Sequence, residues 1–182
     1  MNLQQSLNAV NLLGIQGLGS LRDPVFYEVL GLFGDKPVKI FQVGAVETFN
    51  PSHLVGSGWS DRHFGPHVKR HGGMYSVLDI DLDHLANSLL LSRMLNYDVH
   101  VVLGDGKVQV QPGYDLYYLD GSNDPDEMLA EVESIRNHPC VILCDDWHIK
   151  GTLVKSLLPW REFPVANGMA LADLRSTPPC PV

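Results

Sequence analysis

The chain has 182 residues, 45% of them hydrophobic and 19% charged, proportions that argue against both a disordered chain and one dominated by membrane spans. A formal net charge of −8 repels a phosphate backbone, and no long basic run overrides it, so nucleic acid is not an expected partner. The length suits one domain, because a single hydrophobic core serves roughly 100 to 200 residues; the expectation is one unit, with residues 1–37 a helical lead-in and 38–175 the core.

The three cysteines, Cys140, Cys144 and Cys180, are too few and too unevenly placed for a disulfide framework, and reduced thiols in a cytoplasmic setting are expected. There is no positive charge before Arg22 and no long apolar run, so neither a secretory signal nor a membrane segment is expected. Leu3, Leu7, Val10 and Leu13 recur at helical spacing before a glycine-rich break at Gly14 to Gly19. A second helix is predicted with Asp23 as N-cap, Pro24 in the first position, an apolar stripe of Val25, Phe26, Val29, Leu30 and Phe33, and Gly34 as its stop.

From Val38 onward short apolar runs alternate with amphipathic helices, the pattern of parallel strands joined by crossovers. The predicted strands are Val38 to Val43, Met74 to Asp79, Asp98 to Leu103, Tyr114 to Leu119 and Val141 to Cys144. Between the second and third, Leu82, Leu85, Ala86, Leu89, Leu90 and Met94 mark one helix face. Between the fourth and fifth, Asp124 caps a helix whose inner face carries Met128, Leu129, Val132 and Ile135. Leu153, Val154, Leu157 and Leu158 predict a short helix ended by Pro159, and Asn167-Gly168 predicts a tight hairpin between Glu162 to Ala166 and Met169 to Leu174. The resulting fold class is α/β: a Rossmann-like three-layer sandwich, mostly parallel, closed by a C-terminal antiparallel hairpin.

In an open parallel sheet, ligands bind beyond the carboxyl ends of the strands, and every predicted strand here ends in a polar segment. The first runs into Gly44-Ala45-Val46-Glu47-Thr48-Phe49-Asn50, the second ends in Asp79-Ile80-Asp81, and the third in Gly104-Asp105-Gly106. The fourth ends in Asp120-Gly121-Ser122-Asn123 and the fifth in Asp145-Asp146-Trp147-His148. By the order and spacing of these segments, from Val38 to Arg175, the chain resembles the class I methyltransferases that use S-adenosylmethionine, and among them the metal-dependent O-methyltransferases of the catechol and macrocin kinds.

The resemblance implies that the loop at Gln42, Gly44 and Ala45 approaches the methionine part of the cofactor, where a side chain on Gly44 would block it. It implies that Asp79, with Ile80 beside it, takes the ribose hydroxyls, and that Asp105 and Gly106 meet the adenine. It further implies that Asp120, which also borders the cofactor, joins Asp145 and Asp146 in holding magnesium, an ion that suits carboxylate oxygens and would acidify the acceptor hydroxyl.

The chain departs from the family pattern at Gln42, where an acid is usual, at Thr48, where a glycine is usual, and at Asn123, where a basic catalytic side chain is usual. His148 is the candidate replacement for that base, alongside Asp120. The expected function is methyl transfer to an oxygen of a small-molecule acceptor. Two rivals stand beside it: a metal-dependent phosphohydrolase, since the acid pairs also resemble those of haloacid-dehalogenase-like enzymes, and a non-catalytic cofactor-binding module of the same fold. His63, His67 and His71 share a four-residue spacing that Pro66 is expected to interrupt; a solvated element is expected there. Trp147 and Trp160 are expected in the core.

Overall fold

Strands buried on both faces need apolar residues at every position, and the predicted runs supply them. In the computed structural model, which describes residues 21–49, 60–165 and 167–176, they form one seven-stranded sheet in the order β3-β2-β1-β4-β5-β7-β6. The strands are β1 (Val38–Val43), β2 (Gly73–Asp79), β3 (His100–Leu103), β4 (Leu116–Leu119), β5 (Val141–Asp145), β6 (Arg161–Phe163) and β7 (Met169–Asp173). β1 to β5 are parallel, and β7 runs antiparallel to both β5 and β6.

Alternation along the strands divides the core in two. Ile40, Tyr75, Val77, Leu116, Tyr118 and Leu143 pack on one face beneath helices α1 (Asp23–Gly31), α2 (Asp61–His71) and α3 (Leu82–Leu95). Phe41, Val43, Leu78, Tyr117, Leu119 and Ile142 pack on the other, against α5 (Pro125–Ile135) and the short α6 (Trp147–Lys150). The single-turn α4 (Gly106–Gln109) follows β3. Trp147 and Trp160 pack together in the second layer, as expected for core residues. Among the described residues, no helix is long and apolar enough to cross a membrane.

The structure corrects several local expectations. α1 starts with Arg22 at its N-cap and no side-chain cap; Asp23 instead pairs with Arg62 and with His63, 2.9 Å away. α2 runs straight through Pro66. Beside it, Gly65 lets the helix lie close against the Tyr97 ring, which a side chain there would strike. On α3 the buried positions are Leu85, Ser88, Leu91 and Ser92, while Leu82 and Ala86 are exposed. The short helix expected at Leu153, Val154, Leu157 and Leu158 is not formed: the helical residues after β5 are Trp147–Lys150 and a 3-10 turn at Gly151–Leu153, and 154–158 are turns and a bend. Asn167 and Gly168 both take positive φ, 60° and 74°, but β6 ends at Phe163, so the connection is longer than a two-residue turn. The expected N-terminal helix with Leu3, Leu7, Val10 and Leu13, the break at Gly14 to Gly19, Asn50, Ala166 and Cys180 lie outside the described residues.

Strand order reverses between β1 and β4, and a crevice opens where their crossovers diverge to opposite sides. The ladder continues one residue past the strands: Gly44 N–H donates to Leu78 O at 2.9 Å, Asp120 N–H to Val43 O at 2.9 Å and Gly104 N–H to Asp79 O at 3.0 Å. The polar segments therefore begin level with one another.

Candidate functional site

A cavity of about 520 Å³ occupies this crevice, a volume within the usual range for cofactor sites. Gln42, Gly44, Ala45, Asp79, Ile80, Asp105, Gly106, Asp120 and Asp146 all line it. Asp145 is nearly fully buried behind that wall, and His148 is exposed and not part of the lining, its ring lying beside Gly168. The candidate base is thus separated from the groups it was expected to serve, because the backbone reverses at Asp146, which takes a left-handed φ of 48°.

Gly44 has φ of 90°, and a Cβ there would run into the carbonyl of Asp120. The glycine is needed to let the β1 loop lie against the end of β4, a reason internal to the fold. Gly44→Ala is expected to cost about 2 kcal/mol, from the strained backbone and the displaced carbonyl, and a denaturant melt that leaves stability unchanged would refute that packing argument.

Asp79 is held firmly. Its Oδ2 accepts from Ala45 N–H at 2.8 Å and its Oδ1 from Asp81 N–H at 2.8 Å, with His84 Nδ1 3.3 Å from Oδ2. An ionised carboxylate has about four acceptor sites, so lone pairs remain for a ligand. Asp81 caps α3 and Asp105 caps α4, accepting from Asp83 N–H at 2.7 Å and Lys107 N–H at 2.9 Å respectively. Ile80, 76% exposed, offers an apolar wall beside Asp79.

The three acids assigned to magnesium do converge, but two cations are already among them. Arg22 Nη2 lies 2.9 Å from Asp145 Oδ1 and 3.4 Å from Asp146 Oδ1. Lys150 Nζ lies 3.2 Å from Asp120 Oδ1 and 3.8 Å from Asp146 Oδ2. The Tyr118 hydroxyl sits 2.8 Å from Asp145 Oδ2 and 3.1 Å from Asp120 Oδ2. Burial opposes the charge on Lys150, but Asp120, Asp146 and Asp145 more than restore it and hold its pKa above the ordinary lysine value. Burial pushes the Asp145 carboxyl up to about 7, with Asp120 adding to the rise and Arg22 opposing it. Among the described residues no group of three ligands is arranged to hold a metal ion. The donor set as it stands fits a divalent ion poorly, because a guanidinium and an ammonium already pair with oxygens of all three acids, and the magnesium assignment finds no support here.

The three histidines of α2 do not form a site either: His63 stacks on Phe26 with centroids 5.1 Å apart, while His67 and His71 face each other at 4.6 Å. Sequence reasoning missed Ser60, Asp61, His84 and Glu127 in the lining, and Lys150 beside it. Lys150 stands four residues after Asp146, an ion-pair spacing visible on a helix. Asp61 carried no signal beyond that of a first-turn acid.

No family model and no curated protein matches the sequence. Solved structures do match. A protein from Staphylococcus aureus, described as a candidate caffeoyl-CoA O-methyltransferase, aligns with TM-score 0.63 at 10% identity over 92% of this chain and 91% of its own. Cofactor-bound Rv0187 from MTB aligns with TM-score 0.60 at 18% identity, over 95% and 89%. A Podospora anserina methyltransferase bound to S-adenosylhomocysteine aligns with TM-score 0.57 at 12% identity, over 81% and 75%. At these identities the likeness establishes the fold, the Rossmann-like α/β sandwich that the chain shares with these structures.

Proposed function

We propose that this protein binds S-adenosylmethionine in the β1–β4 crevice and transfers its methyl group to an oxygen of a small-molecule acceptor. The observation that carries the reading is Asp79: a carboxylate at the end of β2, oriented by two backbone N–H groups and facing the cavity with acceptor capacity to spare. Paired hydroxyls of a ribose match that capacity. Asp105 and Ile80, further along the same wall, provide a polar and an apolar contact for a purine.

When bound, the cofactor supplies a methyl group activated by a sulfonium. The chain's part is to place an acceptor hydroxyl in line with it and to remove a proton. Asp120 lines the cavity at the β4 end, and burial raises its carboxyl pKa while Lys150 opposes the rise, so it is the group placed to accept that proton. This reading gives magnesium no role, since Lys150 and Arg22 already pair with the acids. The first strand runs into Gly44, not into an aspartate pair, which disfavours the phosphohydrolase reading.

The test is calorimetric titration of S-adenosylhomocysteine into the purified protein. Saturable binding is expected, and Asp79→Ala is expected to weaken it by roughly 10- to 100-fold, the loss of charge-assisted hydrogen bonds worth about 1.5 to 3 kcal/mol. Absence of binding would overturn the reading. Binding without methyl transfer to any hydroxyl acceptor would leave a cofactor-binding module.

A further inference from the structure

Among the described residues of the cavity wall, one buried side-chain oxygen has no hydrogen-bond partner. Asp61, the first residue of α2, is wholly buried and lines the cavity. Its Oδ1 accepts from Gln42 Nε2 at 2.9 Å, whereas its Oδ2 has no hydrogen-bond partner. Buried carboxylate oxygens are seldom left so, because desolvation without a compensating bond is costly, and the exceptions call for an explanation.

Gln42 fixes the direction of that carboxylate. Its Oε1 accepts from Ser60 Oγ at 2.9 Å and from the Tyr75 hydroxyl at 2.8 Å. The amide nitrogen must therefore face the other way, where it donates to Gly44 O at 2.5 Å as well as to Asp61. A carboxylate at position 42 could make neither donation and would repel Asp61. Burial pushes the Asp61 carboxyl up from the ordinary aspartate value, and Ser88, Gln42 and Tyr75 offset that only in part. What Oδ2 lacks is a hydrogen-bond donor, and a positively charged one would also offset the burial of the carboxylate.

We propose that Asp61 accepts a hydrogen bond from the α-ammonium of the methionine half of the cofactor, with Gln42 as the positioning residue. This inference rests on the cofactor reading of the cavity. With the nucleoside across the ends of β2 and β3, the amino-acid tail extends toward β1, where Gln42 and Asp61 stand. The sulfonium cannot serve in this role because it has no proton to donate; an ammonium has three.

Three probes separate the possibilities: S-adenosylhomocysteine, its analogue lacking the α-amine, and 5′-methylthioadenosine, which keeps the nucleoside and thioether but lacks the amino-acid half. The wild type is expected to bind S-adenosylhomocysteine at least tenfold tighter than the desamino analogue. Asp61→Asn is expected to lose tenfold or more for S-adenosylhomocysteine while binding methylthioadenosine and the desamino analogue within about twofold of wild type. Equal affinity of wild type and variant for S-adenosylhomocysteine overturns the assignment, as does an equal loss for all three probes, which would make Asp61 a general structural element. If the variant does not fold, the wild type decides: discrimination of less than twofold between the amine and desamino forms overturns it. Methylthioadenosine binding without such discrimination would leave the cofactor reading standing, and failure of all three probes to bind the wild type would remove both.

Discussion

Lys150→Met should lower the unfolding free energy by about 3 to 5 kcal/mol, the usual cost of removing one partner from a buried ion pair. The side chain is 1% exposed, and its ammonium bridges Asp120 and Asp146. Methionine fills much the same volume, so the loss isolates the charge. Of the two cations only Arg22 would then remain among the three carboxylates, and the variant should acquire a response not expected of the wild type: millimolar magnesium or manganese should raise its melting temperature. Thermal melts of both proteins, with and without the ion, measure this directly. Stabilisation of the wild type by magnesium would mean that the acids retain coordination sites and that the ammonium does not occupy the metal's place.

The second large effect concerns Glu131, which is 2% exposed, with Oε1 unpartnered beneath Gly106 and Gly121. Burial, with a further contribution from Glu127, pushes its carboxyl up to about 8. A carboxyl raised in the folded state binds a proton that the unfolded chain has already lost. Stability therefore falls as pH rises, from the ordinary glutamate value of 4.5 to about 8. Across that interval the loss is at most about 5 kcal/mol, at about 1.36 kcal/mol for each pH unit. Asp145, raised to about 7, acts in the same direction. Glu131→Gln is neutral at every pH; it should be close to wild type at pH 5 and several kcal/mol more stable near pH 9. Urea melts across this range check the slope, and a variant whose stability declines with pH as steeply as wild type's would show that Glu131 is not the titrating group.

Much of the fold was legible because it depends on local periodicity. β1 coincides with its predicted range, and β2 and β5 differ by one residue at one end. Asp124 caps α5 as its spacing from the apolar face required, accepting from Asp126 N–H at 3.0 Å. Errors gathered where a distant partner overrides the local preference. Pro66 is carried inside α2, which packs through Gly65 on Tyr97. Asp23 gives up capping for an ion pair with Arg62, 39 positions away. On α3 the buried stripe includes Ser88, whose hydroxyl accepts from Val46 N–H at 3.1 Å, a partner that no helical periodicity contains.

By itself the sequence determined the α/β class, the strand ends and the line of polar residues along the carboxyl edge of the sheet, since these follow from residue type and spacing. What only the tertiary structure decided is how those charges are balanced. Arg22 reaches Asp145 across 123 positions, and His148 stays outside the cavity although it is two residues from Asp146. Asp61, an unremarked first-turn acid in the sequence, becomes a buried acceptor awaiting a donor. Electrostatic compensation depends on distance and desolvation in three dimensions, and neither quantity is encoded in the spacing of residues along the chain.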